Sequence, residues 1–92
     1  MKIYDLKINR MLNPIGLSAD SLQFSFKATV GAKFRVKIYN EDKVTEVYQK
    51  LIKLKEISCF YIPYYFELGK VYFWMVECES YQSEFSSFEI AL

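Results

Sequence analysis

Glu77 and Glu79 come closest, in type and spacing, to a catalytic pair in this chain. Alternate residues of a strand lie about 6.6 Å apart, near the lower end of the carboxylate separation used in inverting glycoside hydrolysis. That chemistry also needs one carboxyl kept protonated by an apolar enclosure, and room for a sugar ring. On the outer face of a strand both groups stand in water, so they read as a solvated edge of charge. The sequence contains no His, which excludes Ser-His and Cys-His nucleophiles, His-centred acid-base pairs and the common His metal ligand. Cys59 and Cys78 read as buried thiols rather than a disulfide. The glycines stand singly in turns, so no phosphate-cradling loop is present. No catalytic residue, cofactor or metal ligand is expected.

Two further groups of residues invite a binding role. Lys33, Arg35 and Lys37 form a basic stripe at alternate positions, joined by Lys50, Lys53 and Lys55. Acidic residues intervene and the aromatic-basic pattern of nucleic-acid binding is missing, so a solvated face is the expectation and no nucleic acid is a partner. Phe60-Tyr61 and Tyr64-Tyr65-Phe66 concentrate rings. Core packing ranks first for them, a contact with another domain second, and a stacking platform for sugars third. Tyr64 and Tyr65 are the candidates for a domain or sugar contact.

The elements that must position these residues fit one small domain spanning residues 1–92. Half the residues are hydrophobic and the formal charge is +1, enough apolar area to fold and too little field to steer a charged partner. The start alternates charge and apolarity, without the apolar run of a secretory signal, and no later run reaches membrane-spanning length. A cytoplasmic chain with no membrane partner is expected.

The dominant period is two, the mark of strands with one buried face. Tyr4, Leu6 and Ile8 share one face, with Asp5, Lys7 and Asn9 opposite. Asn13-Pro14-Ile15-Gly16 supplies turn chemistry, Pro14 fixing φ and Gly16 tolerating positive φ. Residues 22–29 alternate, turn at Val30-Gly31 and enter a third run at 33–38, so the two runs read as a hairpin. Residues 42–56 carry two patterns. Val44, Val47, Tyr48, Leu51 and Leu54 fit helical spacing with Asp42 as an N-cap, while a short strand over 45–50 competes. Periodicity alone favours the helix, yet an isolated helix among strands must find a surface to cover, and the choice stays open. Strands follow at 57–62, ended by Pro63, at 71–79 and at 85–91. About seven short antiparallel strands predict an all-β sandwich of the immunoglobulin or fibronectin type III kind.

The run from Gly69 gives that prediction a mechanism. In such sandwiches a Tyr near the start of the sixth strand turns its hydroxyl onto backbone a few residues upstream. Tyr72 is spaced for it, with Gly69 allowing the turn and Phe66 covering it. An inward Tyr72 carries Trp74, Val76 and Cys78 inward with it, Trp74 being the largest anchor.

Leu6, Asn9, the Asn13-Pro14-Ile15-Gly16 entry, the Leu22-Gln23-Phe24-Ser25-Phe26-Lys27 run, Ile62-Pro63-Tyr64, residues 69–76 and residues 83–88 together resemble the N-terminal fibronectin type III-like domain of bacterial α-L-rhamnosidases. Phe85 stands where that family commonly has Trp, and residues 44–56 lack its Asp-Ser-Gly turn. The resemblance implies a first, non-catalytic domain of a longer glycoside hydrolase. Further β-sandwich domains and an α/α barrel would follow, whose carboxylates hydrolyse terminal α-L-rhamnosyl bonds with inversion. It implies interdomain packing, with neighbouring domains and a second copy as partners. None of the family's catalytic motif falls in these residues. A carbohydrate-binding module and a free-standing protein-interaction domain are the alternatives.

Overall fold

A computed structural model describes residues 2–19, 22–29, 33–53 and 59–92. They form seven strands and, among the described residues, no helix: β1 (Ile3–Ile8), β2 (Phe24–Ala28), β3 (Lys33–Asn40), β4 (Glu46–Lys53), β5 (Val71–Cys78), β6 (Tyr81–Gln82) and β7 (Ser86–Glu89). All pairings between strands are antiparallel. One sheet is β1-β2, to which Phe60 adds an isolated bridge on Phe24. The other runs β4-β3-β5, with β6 and β7 both on β5.

The inward sides of the two sheets share one core. Tyr72, Trp74, Val76 and Cys78 are buried along β5, as their alternation predicts, and Phe34, Val36 and Ile38 are buried along β3. From the opposite sheet Phe24 reaches into the same space. Its ring meets Trp74 edge-on at 5.1 Å and Phe88 at 5.7 Å, and stacks on Phe60 at 5.9 Å. Each such ring contributes its apolar area plus about 0.5–1.5 kcal/mol from each well-oriented aromatic pair.

Several expectations are corrected or decided here. In β1 the buried side chains are Ile3, Leu6 and Ile8, with Tyr4 half-buried. Tyr4 faces Lys27 and Lys7 faces Ser25, so β1 spends three steps where β2 spends two. The extra residue is a bulge, with Asp5 at φ 53°, and it shifts the inside-outside phase by one.

The runs at 22–29 and 33–38 are not a hairpin. β2 pairs with β1 and β3 with β4 and β5, so the chain changes sheet between them. Phe26 and Phe34 meet across the core at 5.1 Å instead. The proposed Val30-Gly31 turn lies outside the described residues.

Residues 46–53 are strand β4, not helix. Val47, Tyr48 and Ile52 pack on the core from a pleated strand, because β4 satisfies the backbone N–H and C=O groups along the edge of β3, which a helix would leave unpaired. Asp42 serves a turn rather than a helix. Its carboxylate accepts the N–H groups of Val44 (2.8 Å) and Thr45 (2.9 Å) and the Thr45 hydroxyl (2.6 Å). Leu54, Lys55 and Glu56 lie outside the described residues.

Of the strand expected at 57–62, Ile57 and Ser58 lie outside the described residues, and the rest contributes only the Phe60 bridge. The last strand is shorter than 85–91, extended by a parallel bridge of Ile90 with Leu17.

Candidate functional site

The carboxylates do not form a pair. Glu77 lies on the outer face of β5, 3.0 Å from the Lys37 ammonium and 3.9 Å from the Arg35 guanidinium. Glu79 is past the end of β5, in a turn at φ 55°. A spacing of about 6.6 Å requires both residues in one continuous strand, and β5 stops at Cys78. Glu77 is also what neutralises the basic stripe: its hydrogen bond raises the Lys37 pKa above the ordinary 10.5, while Arg35 donates to Gln49 at 2.6 Å. The stripe is therefore a mixed-charge face rather than a cationic one.

Both cysteines are free; Cys78 is buried as expected, whereas Cys59, expected to be buried, is exposed. No group of three or more His, Cys, Asp or Glu side chains comes together among the described residues.

The aromatic run divides by position. Phe66 is core, and Phe60 is half-buried on Phe24. Tyr64 is half-buried, with its ring 4.9 Å from Phe66 and 5.8 Å from Tyr48. Tyr65 is 76% exposed and Tyr61 55% exposed. Tyr61 is nonetheless fixed, since its hydroxyl accepts the Gln23 amide at 2.7 Å. Tyr64 and Tyr65 thus belong to different environments, one against the core and one in water.

The residues at the turns are strapped to the last strand. The Asn13 side-chain oxygen accepts the Ser87 N–H at 2.9 Å, and the carbonyl of the buried Pro14 accepts the Glu89 N–H at 3.0 Å. Gly16 turns the loop at φ 69°, after which Leu17 and Ala91 continue the pairing. On the other side Gly69, at φ 76°, donates its N–H to the Ile90 carbonyl at 2.9 Å. The Tyr72 hydroxyl accepts the Glu67 N–H at 2.9 Å, with Phe66 lying 5.1 Å from the Tyr72 ring.

One cluster escapes a reading of the sequence. On the outer face of the larger sheet Tyr39 and Phe73 are cross-strand partners. The Phe85 ring stands edge-on to both, at 5.5 Å from Tyr39 and 6.3 Å from Phe73. The Lys43 ammonium lies 4.5 Å from the centre of Phe73 and 5.8 Å from that of Phe85. Outward alternation flags Phe73, but Lys43 reaches it only through the geometry of the β3–β4 turn. Comparison with known protein families, with curated proteins and with solved structures gives no match for the chain.

Proposed function

We infer that this chain is a non-catalytic sandwich module of the immunoglobulin or fibronectin type III kind, serving an α-L-rhamnosidase-like glycoside hydrolase through packing against its other domains. One observation carries this reading: two motifs of the resemblance that are distant in sequence, residues 13–16 and 83–88, meet through Asn13 with Ser87, and Pro14 bonds Glu89 just beyond the second of them. Their residue types answer the needs of a scaffold. The order β4-β3-β5 with β7 on β5, facing β1-β2, supports the sandwich type. Glu77, held by Lys37 and Arg35, has the partners of a structural carboxylate rather than those of a general acid.

The test is twofold. The coding sequence is expected to continue past Leu92 into a glycoside hydrolase barrel, and a stop codon there overturns the reading. The chain alone is expected to leave an aryl α-L-rhamnoside intact, so enzyme-dependent release of the aryl group also overturns it. The exposed rings of Tyr61 and Tyr65 favour a second reading, a carbohydrate-binding module. Saturable heat on titration with rhamnose-containing glycans, lost in Tyr65→Ala, would establish that reading in place of the first.

A further inference from the structure

We propose that Tyr39, Phe73 and Phe85 form a binding site for a quaternary ammonium group, which Lys43 occupies as a built-in competitor. Phe85 stands at 80° to Tyr39 and 87° to Phe73. Phe73 and Phe85 nonetheless border one volume, since a single ammonium lies 4.5 Å from one ring centre and 5.8 Å from the other, with Tyr39 packed behind Phe85. Lys43 shows which charge the volume accepts, since its ammonium lies within about 6 Å of two ring centres, the range of cation–π attraction.

Three further features support this assignment. The site is accessible: Phe85 is 42% exposed, on a sheet face where aromatic side chains have no core to fill. Glu46 is the exposed cross-strand partner of Tyr39, and its carboxylate, which accepts the Gln49 amide at 3.3 Å, adds negative charge to this end of the sheet, which favours a cation of any kind. Lys43 is held there by a constrained turn. Its φ is 61°, its N–H donates to the Asn40 carbonyl at 3.0 Å, and the Asp42 carboxylate closes the same turn. A primary ammonium is strongly hydrated and gives up water reluctantly. A trimethylammonium group is weakly hydrated and covers more ring surface, so it displaces Lys43 into solvent.

Lys43→Gly tests this without straining the turn, because glycine adopts positive φ freely. Tetramethylammonium chloride is titrated into the labelled chain at constant chloride, and the ring signals of Tyr39, Phe73 and Phe85 are followed by NMR. Saturable movement of those signals is expected in Lys43→Gly, about tenfold tighter than in the wild type, the scale of one cation–π contact. Phe85→Leu, which keeps an apolar side chain there, is expected to weaken binding about tenfold. Equal or weaker affinity in Lys43→Gly, no saturable movement, or equal response to the neutral tert-butanol overturns the proposal.

Discussion

The ring of Tyr72 stacks on that of Phe88 at 5.4 Å with 23° between their planes, while its hydroxyl takes the Glu67 N–H five residues upstream. One side chain thereby joins β5 to β7 and fixes the approach of the preceding segment. Tyr72→Phe separates the two roles, keeping the stack and removing the acceptor. The Glu67 N–H is only part-buried, so water recovers some of the loss and the expected cost is about 1 kcal/mol. Urea unfolding should show a lower midpoint with unchanged slope. An unshifted midpoint would mean that the bond contributes nothing net.

Arg10 sits at φ 66° beside Asn9 at φ 51°, between Ile8 and Met11, whose backbones exchange hydrogen bonds of 3.0 and 2.9 Å. This is a two-residue hairpin turn of the kind that wants Asn-Gly. Arg10→Gly relieves a left-handed strain of about 1–2 kcal/mol and forfeits part of it to unfolded-chain entropy. A net stabilisation of about 0.5–1 kcal/mol is expected by thermal or urea unfolding.

Asp42 has its carboxyl held below the ordinary 3.8, first by the Thr45 hydroxyl and then by the Thr45 and Val44 N–H groups. A depressed folded value favours the fold above the unfolded pKa and is lost as pH falls through the folded one. Wild type should therefore lose stability on acidification below pH 3.8 more steeply than Asp42→Asn, which keeps an acceptor oxygen without the titration. Parallel pH profiles of melting temperature would contradict this.

Cys59 is exposed and Cys78 buried, and neither is in a disulfide. A thiol reagent should modify Cys59 promptly in the native protein and Cys78 only after denaturant is added. Prompt reaction of both would place Cys78 in a segment that opens readily.

Legibility followed the places where local pattern and global fold agree. The inward set Tyr72, Trp74, Val76 and Cys78 could be read because β5 is regular along its length. The face of β1 could not, because the one hint, an Asp at position 5, a type depleted in strands and enriched at positive φ, fits a solvent-facing strand position equally well. Asn9 likewise hints at a turn, but Arg10 stands where such a turn wants Gly. β4 was ambiguous because Val47, Tyr48, Leu51 and Leu54 fit a helix, and only the free edge of β3 decides against it. The separation of β2 from β3 is a matter of topology, since alternation is identical whether a strand pairs with its neighbour or crosses the core. The Asn13 strap and the Lys43 cluster each join residues distant in sequence, for which one sequence holds no signal.

The Asn13 to Ser87 clasp spans 74 residues. A scaffold fastened in this way cannot be completed piecemeal as it leaves the ribosome: the 13–17 loop must wait, partly unsatisfied, until residues 87–91 arrive to hold it. Such non-local closure places folding in the slow range, about milliseconds to seconds. Until residues 86–89 are made the larger sheet carries an open edge on β5, the condition in which a partly folded chain is most prone to aggregate.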